Sequence, residues 1–384
     1  MHRRPGTTAF ARPQSPAAKC LHLIRLRRAR TRPELIEATG LSQPTITRAV
    51  TTLINAGLIR ARADLAVSDG PGRPTTPLEP ADFPAVFVGA AVGTSSTYLG
   101  LYDAEGRRLR DLDLKIKVSE HEDSDFLEHL VAGINRLTAG VATPLGALGV
   151  TTSGQVTERG IVDAPNLGWH GVDFAGRLRY HFDVPVTVSA AVPAILGSET
   201  QSANLPAAGD EPPRTLALFA DDSISAAVTH ATGVTQLSSL PAPAPGPGLP
   251  TTAEERLSTQ GFLDTVAAAG LGTMTLEDAV GRAEHSRELR ALLDERARML
   301  GDMCAALIAR HHPDTLVLAG SALTADPRAP QTFAKTVRGR VGNDVELRMI
   351  PGHREIVVAI ARAVALDKLL RDPVEVADGV GAAA

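Results

Sequence analysis

Aromatic side chains are scarce in this chain of 384 residues: Phe, Trp and Tyr together make up 3%, with a single Trp. Hydrophobic residues still reach 43%, so sizeable cores are expected, built from Ala, Val and Leu rather than from rings. Cysteine is rarer yet. Cys20 and Cys304 stand far apart, each in a helical pattern, which excludes a zinc site made of cysteines alone and points to buried free thiols in a reducing cytoplasm. No run approaches the apolar length of a membrane helix. Arg3 and Arg4 are followed by no apolar stretch, so no secretory signal is expected, and the expected location is cytoplasmic, off the membrane. The length admits two or three domains.

What is present is unevenly placed. Residues 1–80 hold 13 Lys and Arg against 5 Asp and Glu, a net of +8, while the remainder nets −12. A basic head on an acidic body predicts a polyanionic partner for the head alone. Leaving out Arg3, Arg4 and Arg12 still leaves the head at +5, so the excess does not belong to its first residues.

Residues 1–16, broken by Pro5, Pro13 and Pro16, read as a flexible arm. Residues 17–80 read as a winged helix-turn-helix. Over 17–29, Cys20, Leu23 and Ile24 share one helical face. Thr31 stands at an N-cap position, with Pro33 in the first turn and Glu34 at capping-box spacing. Leu35, Ile36 and Ala38 form the inner face of this second helix, and Gly40 ends it. Ser42 caps a third helix, Pro44 is tolerated in its first turn, and Ile46, Ala49, Val50, Leu53 and Ile54 repeat at helical spacing. That leaves Gln43, Thr45, Thr47, Arg48 and Thr51 on or near the outer face and N-terminal end, where a recognition helix reaches base edges in a major groove. Gln can read adenine and Arg guanine, while the Thr hydroxyls and the Ser42 cap suit phosphate. Residues 58–62 can form a wing strand and 68–72 a turn. Arg73, between Gly72 and Pro74, is slim enough to enter an A/T-rich minor groove.

The remaining residues alternate strands with helices, the mark of mixed α/β layers. Strands are expected at 86–92, 97–102, 107–118, 145–152 and 186–189, with helices at 126–137, 174–182 and 192–202. A second set follows: strands at 215–219 and 225–229, a low-complexity Pro/Ala/Gly break at 241–250 read as a mobile loop, helices at 253–269, 276–283 and 286–310, and a strand at 314–318. A helix over 354–370 closes the chain, before a small, frayed tail.

Several stretches are specific: Gly72-Arg73-Pro74 in the head, VGAAVGTSSTYLGLYDAEG at 88–106, GVTTSG at 149–154, APNLGW at 164–169, PVTVSAAVPAILGSE at 185–199 and TLVLAGSAL at 315–323. With these motifs the whole chain resembles a regulator of the ROK family, which unites sugar kinases with transcriptional repressors made by adding a winged helix-turn-helix to the kinase fold. The resemblance implies an α/β chain whose winged head precedes a two-lobed, actin-like sugar-kinase domain over 81–384. Lobe one would span about 81–205 plus the closing helix, 354–371, and lobe two about 206–353.

Departures from the family kinases fall on their chemistry. Their Asp-x-Gly is replaced here by Ala91-Val92-Gly93. Their Glu-Asn-Asp-Ala-Asn, whose Asp takes the proton from the sugar hydroxyl, is Ser189-Ala190-Ala191-Val192-Pro193, and Ala191 has nothing to titrate. The Gly-rich second phosphate loop reads Ala220-Asp221-Asp222-Ser223-Ile224-Ser225, whose carboxylates would repel a triphosphate. The family's cysteine zinc motif is missing, and no thiolate zinc site can form there. His311 and His312 read as a helix end, and His230 and His285 as isolated. No catalytic residue, cofactor or metal is therefore expected. Of the family's sugar contacts, Gly154 and Asn166 remain as effector-binding candidates, Asn166 being also readable as a turn residue before Trp169. The expected function is a DNA-binding regulator, a repressor, which meets a double-stranded operator as a homodimer or dimer of dimers. Its inactive body would sense a sugar-like effector or pair subunits. One alternative is a bifunctional ATP-dependent sugar kinase and regulator; another is a body that is a ligand-insensitive scaffold.

Overall fold

The computed structural model describes residues 9–66, 75–206, 210–243 and 251–383. Arg73 and most of the break at 241–250 lie outside them. In the head, α1 (Pro16–Arg25) is capped by the Ser15 hydroxyl, which accepts from the Ala18 amide at 3.1 Å. α2 (Arg32–Thr39) starts at Thr31, whose hydroxyl accepts from the Glu34 amide, while the Glu34 carboxylate accepts from the Arg30 amide, one residue further out than a closed capping box. α3 (Gln43–Asn55) follows the turn at Gly40 and buries Ile46, Ala49, Val50 and Leu53, the helical stripe read from the sequence. β1 (Ile59–Ala61) and β2 (Leu78–Pro80) form an antiparallel ladder with Ile59 opposite Pro80.

The body repeats one plan twice. β3 (Val86–Val92), β4 (Thr97–Tyr102) and β5 (Arg108–Leu114) make an antiparallel meander, α4 (Asp123–Thr138) crosses over, and β6 (Leu145–Thr152) returns parallel to β3. A small sheet of β7 (Gln155–Val156), β8 (Ile161–Ala164) and β9 (Trp169–Asp173) leads into α5 (Phe174–His181). Then β10 (Val186–Ala190) pairs parallel with β6, and α6 (Ala191–Thr200) follows directly. β11 (Thr215–Ala220), β12 (Ile224–His230) and β13 (Gly233–Gln236) are a second meander. Helices α7 (Ala253–Leu257), α8 (Thr259–Ala268), α9 (Leu276–Arg282) and α10 (Arg287–His311) precede β14 (Thr315–Ala319), which lies parallel to β11. After α11 (Ser321–Thr324) and α12 (Ala329–Val341), β15 (Glu346–Met349) lies parallel to β14. The strand orders β10-β6-β3-β4-β5 and β13-β12-β11-β14-β15 are therefore one topology, used once per lobe.

α13 (His353–Arg371) crosses back onto the first sheet, and α14 (Pro373–Ala383) ends the described chain. The seat of α13 is made by two glycines. A Cβ on Gly89 would stand 1.9 Å from the Ala361 carbonyl oxygen, and one on Gly149 would stand 2.2 Å from that of Val364. No side chain fits there, so helix backbone rests on strand backbone.

Several expectations need correction, among them the strand expected over 107–118, which ends at Leu114. α1 stops at Arg25 rather than running to Ala29, because the chain turns at Arg27 (φ +57°) and tucks Ala29 into the core. Residues 9–15 are no flexible arm: Phe10 is buried, its amide donates to Asp367 Oδ1 at 2.7 Å, and the Arg12 amide donates to the Thr232 carbonyl at 2.9 Å. The helix expected over 253–269 breaks at Ser258, whose hydroxyl caps α8. The frayed tail is α14, with Val376 and Val380 buried. Those valines join one continuous core that runs from Cys20, Leu35, Ile46 and Leu53 in the head to Phe83, Phe87, Tyr102, Leu366 and Leu369 in the body. Both cysteines are buried and free.

Candidate nucleic-acid interface and cleft

Ser42, Gln43, Thr47, Arg48 and Thr51 are exposed on α3, and Thr45 is partly so. The structure thus brings Ser42, Gln43, Thr45, Thr47, Arg48 and Thr51 onto one helix, while Arg73 lies outside the described residues. Ser42 holds the N-cap backbone position but makes no side-chain cap; its Oγ lies 2.9 Å from the Thr45 hydroxyl instead. Thr51 donates to the Thr47 carbonyl at 2.9 Å. Arg48 leans on the Pro44 carbonyl at 3.4 Å. One flank of α3, carrying Thr45, Arg48 and Thr52, borders a groove of about 500 Å³, whose far wall is Asp372 and Glu375 at the start of α14. Lys368 holds both of those carboxylates, at 2.9 and 2.7 Å.

α1 seats this head. The His22 ring donates to the Ala203 carbonyl at 2.8 Å, Arg25 donates to the Gln201 carbonyl, and Gln201 donates in turn to the Ala363 carbonyl at 2.9 Å. Burial, with Arg362 nearby, lowers the Arg25 guanidinium to about 10, which leaves it charged at neutral pH. Sequence reading had no means of seeing this weld, since α6 and α1 are remote in the chain.

The cleft between the two sheets is crossed by side chains. Thr94, in the first phosphate-loop position, donates to the Asp222 carboxylate in the second. Asp221 accepts from the Ser321 hydroxyl at 2.7 Å and from the Ser321 amide at 3.2 Å, and lies 3.7 Å from His353. Burial pushes the Asp221 carboxyl up, but the bonds from His353 and Ser321 outweigh it and hold the group below its usual range. The same contact raises His353. Ala91 and Ala190 are buried, and Ala191 opens α6. Asn166 Oδ1 accepts from the Ser153 hydroxyl at 3.0 Å, while its Nδ2 is buried without a partner, as is Thr152 Oγ1. Gly154 has φ +79°, and a Cβ there would stand 2.2 Å from the Asp163 carbonyl oxygen, so the glycine is required by the turn itself. Its carbonyl accepts from Gln236 at 2.7 Å, which ties the small β7-β8-β9 sheet to β13. Among the described residues no three His, Cys, Asp or Glu side chains gather as a metal set, and no helix is long and apolar enough to cross a membrane.

A ROK family profile matches residues 87–207. Over a longer span, Transcriptional regulator Rv0485 of Mycobacterium tuberculosis is 30% identical across 389 residues, covering 94% of this chain and 86% of that protein. The chain belongs to the ROK family. Among solved structures, a ROK family transcriptional regulator described as a homolog of the Escherichia coli MLC protein superposes with a TM-score of 0.74 at 19% identity, over 94% of this chain and 98% of its own. The ROK hexokinase from Thermus thermophilus superposes with a TM-score of 0.58, also at 19% identity, over 73% of this chain and 98% of its own. These two likenesses speak for the fold: a sugar-kinase-like body, to which this ROK chain adds a segment that the hexokinase does not match.

Proposed function

We infer that this ROK protein is a DNA-binding transcriptional regulator, acting as a repressor, whose kinase-like body has lost phosphoryl transfer and serves to sense a small molecule and to pair subunits. The observation that carries the reading is a contrast between two surfaces. α3 presents Gln43, Thr47, Arg48 and Thr51 to solvent, and among the described residues Arg48 has no carboxylate partner. The cleft has Ala191 where a base is needed, and its two phosphate-loop positions are tied to each other through Thr94 and Asp222. Full-length relatives that are transcriptional regulators support the same side of the family.

In a dimer, paired recognition helices would engage half-sites about one or two DNA turns apart. Arg73 would enter the adjacent minor groove. The buried, unpartnered Asn166 Nδ2 beside Ser153 supports a hydroxyl-bearing, sugar-like effector, with Gly154 contributing the shape of the turn. A mobility-shift titration tests the central reading: the duplex from the protein's own upstream region should bind more tightly than random duplex at physiological salt. Equal affinity counts against it. ATP-dependent phosphorylation of any hexose above background would restore the kinase reading. A thermal-shift screen of sugars, amino sugars and sugar phosphates tests the effector site, because a ligand that binds only the native state raises the melting temperature.

A further inference from the structure

The cations of the head fall into two groups. Arg60 and Arg62, on and beside β1, are neutralised: Arg60 pairs with Glu79 at 2.6 Å and reaches Asp82 at 3.8 Å, while Arg62 pairs with Asp64 at 2.6 Å and with Glu79 at 3.0 Å. Arg27, Arg28 and Arg30 lie in the turn between α1 and α2, and Arg32 opens α2. The first three are exposed and Arg32 is half-buried, yet among the described residues none of these guanidiniums has a carboxylate partner. Glu34 and Glu37 follow on α2, but the Glu34 carboxylate is taken by the Arg30 amide, and among the described residues neither acid pairs with an arginine side chain.

The turn that carries the first three of these cations and leads into the fourth is fixed from three sides. The Arg27 and Arg28 amides donate to the Ile24 and Leu23 carbonyls at 3.0 and 2.8 Å, which anchors the turn on α1. The Arg30 amide bonds to Glu34 on α2, and the Arg30 carbonyl accepts from the Leu78 amide at the root of the wing. Arg27 holds a left-handed φ of +57°, a strained choice for a side-chain-bearing residue. Had α1 continued instead, successive residues would step about 100° around the axis and spread the four cations over roughly 200° of its circumference. Gathered like charges without counter-ions repel one another, and guanidinium forks match phosphate oxygens in pairs.

We propose that the α1–α2 turn is a second DNA-contacting surface: Arg27, Arg28, Arg30 and Arg32 clamp the phosphate backbone of duplex DNA beside the stretch read by α3, and Arg60 and Arg62 take no part. The proposal rests on the DNA-binding reading above and adds the residues that supply its sequence-independent term.

The experiment measures binding of the full-length protein to two fluorescent duplexes, one of random sequence and one from the upstream region, over a range of salt concentrations. Each phosphate contact contributes about 0.9 to the slope of log K against log salt. The variant with Arg27→Gln, Arg28→Gln, Arg30→Gln and Arg32→Gln should bind both duplexes more weakly by about the same factor, because phosphates carry no sequence, with a slope shallower by about 3.6. Arg28→Gln and Arg32→Gln alone should each flatten the slope by about 0.9, so the test survives if the fourfold variant folds poorly. Arg60→Gln with Arg62→Gln should leave the slope unchanged. A wild-type slope in the single variants, or a loss confined to the upstream duplex, overturns the clamp and leaves the DNA-binding reading standing. A wild-type protein that binds neither duplex in a salt-dependent way overturns both.

Discussion

Arg48 stands between two settings, the open end of α3 and the groove walled by Asp372 and Glu375. Because Lys368 already holds both carboxylates, Arg48 is left available for the base contact proposed for it. Replacing it with Ala should weaken binding to the specific duplex by about 1–3 kcal/mol, the range for a bidentate base contact, with a smaller effect on random duplex. A titration of Arg48→Ala against both duplexes checks this. His22 makes the second prediction at this scale. Burial, assisted by the charges of Arg25 and Arg12, lowers its pKa to about 4 despite the bond to Ala203, so the folded protein holds it neutral. Unfolded histidine protonates near 6.5. Stability from this group is therefore intact above 6.5 and falls as pH drops toward 4, by at most about 3 kcal/mol. Denaturant unfolding at several pH values should show that decline in the wild type, and His22→Gln should lack it.

Two elements at opposite ends of the sequence hold the head in place. Phe10 lies against Gly197 of α6, and α14 buries Val376 and Val380 beside α1 and α3. Phe10→Ala should destabilise the protein by about 3–5 kcal/mol, as for other buried aromatics, and Val376→Asp by about 3 kcal/mol through an unpaired buried carboxylate. Urea denaturation curves measure both, and the second should also reduce DNA binding, since α14 backs α3, the proposed recognition helix. These elements also mark where sequence reading stops. β3, β4 and β6 were legible to the residue because apolar runs and Gly-rich turns define them locally. α14, made of Ala, Gly, Val and a few acids, carries no local helix signal, and the surface that makes its valines interior belongs to the head. β15 is only four residues long and mostly exposed, so its Glu-Leu-Arg-Met alternation is too short to stand out. Of the site, the face of α3 followed from periodicity. The Thr94–Asp222 tie joins residues 128 positions apart, and the Arg60–Glu79 pair spans 19, so neither could be read from spacing.

Across the whole molecule, head and body share one core, and the head has no separate interior to keep folded alone. The head and the first lobe are therefore expected to unfold together. Trp169, packed 5.3 Å from Phe126 and 5.1 Å from Phe174, reports on the body, and the wholly buried Cys20 thiol reports on the head. In a Cys304→Ala background, Trp169 fluorescence and Cys20 labelling should show the same urea midpoint; an earlier midpoint for Cys20 would mean that the head unfolds alone. The shared core also sets the rotational phase at which DNA can be read. In the proposed dimer, two heads fused to their bodies keep one separation and one angle, and no tether can follow a half-site that moves around the duplex. Inserting about five base pairs, half a helical turn, between the half-sites would carry one of them to the far side of the DNA, and a full turn would bring it back into line but too distant to reach.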